Sequence, residues 1–141
     1  RNLNNEHTMS DTTSILQIPG AHLESIEQGN NEITLHFSQV QLLQEMEAAI
    51  EDSLWTQAIN LTIRDIGIEG ELPECPCVIK GGDMINNIFT YRDHAPLPIN
   101  WQGEVRCTLT VADSGAKFSI DGESMQLEQI GNPRYIKHIK K

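Results

Sequence analysis

The sequence predicts a mainly β domain, an antiparallel sandwich or partly open barrel of about eight strands, and three observations carry that reading. In the second half, apolar residues alternate with polar ones at Val105, Cys107, Leu109 and Val111, at Phe118 and Ile120, and at Met125 and Leu127. A period of two places each set on one face of a strand. Only Asp113-Ser114-Gly115 and Asp121-Gly122 separate these runs, connections tight enough for antiparallel hairpins alone. Turn residues recur along the rest of the chain, and no strand–helix–strand spacing calls for a parallel sheet.

The elements follow in order. Residues 1–8 read as sequence upstream of a native start at Met9, which leaves 9–141 as a single domain. Ile15, Leu16 and Ile18 ahead of Pro19-Gly20 read as an edge strand ended by a turn. Leu23 and Ile26 face Ile33, Leu35 and Phe37 across Gly29-Asn30-Asn31, a hairpin. From Ser38 to Ser53 two patterns compete. Val40, Leu42, Leu43, Met46, Ala49 and Ile50 fit a helical stripe with Glu45, Glu47 and Glu51 opposite, while the first three also continue the preceding strand. One short helix between Gln39 and Ser53 is therefore the α+β alternative. Ile59, Leu61 and Ile63 restore alternation, and the phase break at Asp65-Ile66 marks a bulge or a crossing between sheets. Val78-Ile79 and Ile88-Phe89-Tyr91 flank Lys80-Gly81-Gly82-Asp83 as a hairpin with a longer connection. Asp93 to Gln102 has no regular period, and Gly131-Asn132-Pro133 turns the chain into a last strand anchored by Tyr135, Ile136 and Ile139.

Composition narrows the function classes. Hydrophobic residues make up 38% and aromatic ones 5%, so the core rests on Ile, Leu and Val, with Trp55, Trp101, Phe37, Phe89 and Phe118 as its large fillers. No stretch reaches the length of a membrane span, and the protein reads as cytoplasmic and free of membrane contact. The net charge of −10 is uneven: residues 9–132 hold nineteen acids against five bases, while the last nine residues hold Arg134, Lys137, Lys140 and Lys141 and no acid. An acidic body repels phosphate backbones, which argues against nucleic acid as a partner.

No constellation carries a catalytic signature. Asp93-His94 has the residue types for a carboxylate-oriented general base, but no nucleophile can be set beside it and sequence neighbours seldom make that bond. Cys75, Cys77, His94 and His138 are acceptable ligand types at no recognised metal spacing, so no metal site and no cofactor is expected. Cys107 lies on an apolar face and reads as a buried, inert thiol. Asp65, Glu69 and Glu71, with Glu74 beyond them, suggest an acidic row on an exposed face, suited to solvent or to a basic partner. The strongest candidate is the stretch Tyr91, Arg92, Asp93, His94 and Trp101, where aromatic rings and an arginine concentrate beside Pro96 and Pro98. Prolines lower the cost of ordering a recognition surface.

Leu54-Trp55-Thr56-Gln57, Ile79-Lys80-Gly81-Gly82, Tyr91-Arg92-Asp93 with Pro96-Leu97-Pro98, and Pro133-Arg134-Tyr135-Ile136 together resemble an uncharacterised family of small bacterial proteins, similar to those encoded by integron mobile gene cassettes. The resemblance runs from Leu16 onward and implies a compact, stand-alone protein with no assigned activity. The expectation is a non-catalytic module that binds a small molecule or a protein, with self-association through edge strands as a homodimer. The alternatives are a small enzyme using His94 and nearby acids, or an inhibitor or immunity-like protein for a basic target.

Overall fold

The computed structural model describes residues 12–140. The expectation for residues 1–8 lies outside them. The described chain is made of nine strands and no helix: β1 (Thr12–Gly29), β2 (Glu32–Met46), β3 (Glu51–Arg64), β4 (Gly67–Glu69), β5 (Cys77–Asn86), β6 (Phe89–Arg92), β7 (His94–Pro96), β8 (Asn100–Val111) and β9 (Lys117–Lys140). All pairings are antiparallel. Strands β5, β8, β9, β3, β2 and β1 are neighbours in that order, and β1 returns to β5, so the sheet closes into an uneven ring. The alternation read from the sequence fills it: Ile33, Leu35 and Phe37 from β2, Ile59, Leu61 and Ile63 from β3, Val105, Cys107, Leu109 and Val111 from β8, and Phe118, Ile120 and Met125 from β9 form one buried cluster. Phe89, expected among the core fillers, is exposed beside the Asn87-Ile88 turn.

The helical alternative between Gln39 and Ser53 is corrected to strand. A bulge between Phe37 and Val40 shifts the register of β2 against β3, so Val40 and Leu42 rejoin the inward face and the next residue, Leu43, points away. Three-residue spacing across a bulge imitates a helical stripe. A turn over Glu47-Ala48, with the Ala49 N–H donating to the Met46 carbonyl, leads straight into β3.

Several turn signals lie inside strands. Pro19-Gly20 sits in a register shift of β1, with Gly20 at φ +87°, and the strand goes on to Gly29. Gly81-Gly82 is within β5, and the turn to β6 falls at Asn87-Ile88 instead, with Asn87 at φ +58°. Asp121-Gly122 is mid-strand in β9. A side chain at Gly122 would begin 2.5 Å from the Arg64 carbonyl oxygen, so glycine is required by close backbone approach. The phase break at Asp65 is a corner where β3 ends. Asp65 takes φ +59°, its N–H donates to the Asn31 carbonyl, and its carboxylate accepts from the Asn31 amide at 3.1 Å.

The ring is thinnest where it closes. Only His22↔Val78 and Leu23↔Cys77 join β1 to β5 directly. The rest of the seam is filled by β6 on β5 and β7 on β1, so the segment from Phe89 to Pro96 spans the opening. No helix among the described residues is long and apolar enough to cross a membrane.

Candidate functional site

The seam segment presents its side chains alternately inward and outward. Tyr91, opposite Met84, packs half-buried against the core. Trp101, at the start of β8 opposite Met125, is buried, and its ring lies 6.0 Å from that of Tyr91. Arg92 points outward, with its side chain 80% exposed and its Nε donating to Asp83 Oδ1 at 3.4 Å. An exposed pair of that length contributes well under about 1 kcal/mol. His94 is exposed, stands edge-on to Tyr91 at 5.7 Å, and holds its Nδ1 2.8 Å from the Arg92 carbonyl. A carbonyl only accepts, so Nδ1 carries a proton.

Asp93 joins the two sides of the opening. It takes φ +64°, a conformation that Asp tolerates better than most residues. The Gly82 N–H donates to Asp93 Oδ1 at 3.0 Å, and the Asp93 N–H donates to the Gly82 carbonyl at 2.7 Å. From the other side, the Ile18 N–H donates to the Asp93 carbonyl at 3.0 Å. The carboxylate therefore binds β5 and does not orient the His94 ring, so the acid–imidazole pairing weighed from the sequence is not formed. Gly81 makes room for this contact, since a β-carbon there would lie 2.6 Å from Asp93 Oδ1.

Outside the ring, this hook borders a hollow of about 480 Å³ lined by Lys80, Gly81, Gly82, Asp83, Arg92, Asp93, Thr108, Thr110 and Lys117. Register explains its composition. Gly81 pairs with Thr110 and Thr110 with Lys117, while Asp83 pairs with Thr108 and also with Arg92. Lys80 is the extra residue of a bulge between Ile79 and Gly81 against Val111 and Thr110, a device that re-aims a side chain. The Thr108 hydroxyl bonds Ser119 at 2.7 Å. Sequence reasoning found Arg92 and Asp93 and missed Lys80, Thr108, Thr110 and Lys117, which only the strand register brings together. A pair of glycines inside an apolar-flanked run was the one signal available, and it reads as a bulge as readily as a turn.

The remaining candidates separate. A second outer hollow of about 530 Å³ is lined by Glu69, Glu104, Asp121 and Arg106 among others, and Arg106 is bonded to Glu69. Asp65 is turned away at its corner, so the predicted row of Asp65, Glu69 and Glu71 along one strand face is corrected: Glu69 alone of the three lies in a strand, in β4. Cys75 and Cys77 are half-buried thiols. Burial and then the neighbouring Cys75 push Cys77 up to about 11, and burial takes Cys107, inside the core, to about 12. At those values the thiolate that would bind metal or attack is scarce. His138 bonds the Tyr135 hydroxyl far along β9. Among the described residues no three His, Cys, Asp or Glu side chains are grouped to hold a metal ion.

Comparison of the chain with protein-family models, with curated proteins and with solved structures returns no match.

Proposed function

We propose that the protein is a non-catalytic binding module whose contact surface is the outer face of β5, β8 and the start of β9, rimmed by the seam segment Tyr91 to His94 and backed by Trp101. One observation carries this reading: the backbone at Arg92-Asp93 is fixed from both sides by the Gly82 and Ile18 hydrogen bonds, while the Arg92 side chain is left outside beside a concave hollow. A fixed backbone spares the cost of ordering the main chain on binding, and the guanidinium offers a planar fork of donors. The engagement of Asp93 with Gly82 favours recognition over acid–base chemistry at His94. A cytoplasmic module of this kind, without nucleic-acid or membrane partners, agrees with the acidic body and with the resemblance to cassette-encoded proteins. Pairing of the β9 edge with a second copy is part of the same proposal.

A thermal-shift screen against metabolites and metal ions tests it, because a ligand of the folded state raises the melting temperature. For any compound that does so, Arg92→Ala and His94→Ala weaken binding and leave the melting temperature of the free protein nearly unchanged. Normal binding by both variants contradicts the proposal.

A further inference from the structure

The geometry points to a small molecule bearing a phosphate or sulfate group as the ligand of the hollow between Lys80, Arg92 and Lys117, an inference that rests on the binding-module reading and gives it a chemical class. Residues 9–132 contain five basic side chains, Arg64, Lys80, Arg92, Arg106 and Lys117, and three of them line this single hollow. The chain carries a net charge of −10, so gathering its scarce cations in one place runs against its general trend. The neighbouring hollow has the opposite balance, three carboxylates to one arginine that is itself paired.

Two acids line the hollow against its three cations, and each already has a hydrogen-bond partner. Asp93 accepts from the Gly82 N–H, and Asp83 faces Arg92. Lys80 and Lys117 form no ion pair among the described residues. The three cations approach from three different strands, β5, the end of β6 and the start of β9, and Thr110 stands in the row between Gly81 and Lys117. Donors arriving from several directions suit the oxygens of a tetrahedral anion better than the two coplanar oxygens of a carboxylate. The space over Gly81 holds the Asp93 carboxylate, so the oxyanion takes the Thr110 and Lys117 side of the hollow. A polyanion is disfavoured, because a nucleic-acid backbone long enough to reach the site runs on over the acidic body.

Amide chemical-shift mapping with inorganic phosphate, pyrophosphate and sulfate, against chloride at equal ionic strength, decides the matter. The expected result is saturable shifts at Gly81, Gly82, Thr108, Thr110 and Lys117, with affinity falling at least about tenfold in the Lys80→Gln/Lys117→Gln double variant and retained in Lys117→Arg. Both lysines are exposed, so the double variant keeps the fold, and its spectrum reports that directly. Shifts no larger than those in chloride, or shifts elsewhere on the surface, overturn the anionic class. A neutral compound that shifts these amides when the anions do not overturns it too, while leaving the binding face standing; Arg92→Ala and His94→Ala test that face separately.

Discussion

Asp93 ties the two sides of the seam together. Its main chain bonds Gly82 on one side and Ile18 on the other, and its carboxylate returns to the Gly82 N–H. The sequence marks this position as unusual only through residue type. Asp is enriched where φ is positive, and a bond to a glycine eleven residues earlier leaves no trace in local pattern. That is why the one partner the sequence offers Asp93 for comparison is the adjacent His94, a bond that sequence neighbours seldom make. A second residue whose environment was invisible in the sequence is His36. Its Nδ1 lies 2.8 Å from Asn60 Oδ1 across the β2–β3 pair, and its Nε2 lies 3.0 Å from Glu27 on β1. The bond to Asn60, and then that to Glu27, raise its pKa above the ordinary 6.5. A raised folded-state value means that the contribution to stability is complete below 6.5 and is lost as pH rises through the higher folded value. An NMR titration should place the His36 midpoint above 6.5, and Glu27→Gln should move it back down. A midpoint at or below 6.5 contradicts the arrangement.

At the scale of elements, strand faces were legible and strand ends were not. Alternation identified the inward residues of β2, β3, β8 and β9 because each strand has one face on the core. Glycine and proline were read as punctuation between short strands, yet Pro19-Gly20, Gly81-Gly82, Asp121-Gly122 and Gly131-Asn132-Pro133 all lie within long ones. Long strands that curve round a ring need bulges and residues without side chains where backbones crowd, the same residues that make turns. In β9 the irregularity at Gly131 is held by the buried Gln57, whose amide donates to the Gly131 carbonyl at 2.7 Å and whose oxygen accepts from Gln129 at 2.8 Å. Beyond Leu127, β9 pairs only with β3 among the described residues, and Ile130, Tyr135 and Ile136 are exposed along it. A long unpaired edge with apolar side chains is a template for another strand. Antiparallel pairing with a second copy also sets the basic end, Arg134 to Lys140, towards the partner's Glu128. Light scattering should find a dimer that Ile136→Lys converts to monomer; a wild-type protein that is monomeric at working concentration contradicts this.

Over the whole molecule, the ring and the candidate surface are one construction. The segment that seals β5 to β1 turns Tyr91 into the core and Arg92 onto the rim of the basic hollow, so the surface is preformed only while the seam is shut. The sequence singled out this segment by its residue types and its two prolines, but its position as the closing piece depends on pairings between residues far apart in the chain. Charge distribution was readable in total and unreadable in space: the count gave five bases in the body, and the register gathered three of them. A preformed surface requires that the seam opens no more readily than the core. Native-state amide hydrogen exchange measures this at the two donors that span the seam, Asp93 to Gly82 and Ile18 to Asp93. Both amides are expected to exchange only through global unfolding, with the same free energy as the core amides of Leu35 and Leu61. Exchange at Ile18 and Asp93 orders of magnitude faster than at those core positions would mean a seam that opens separately from the core, and would contradict a closure as stable as the core.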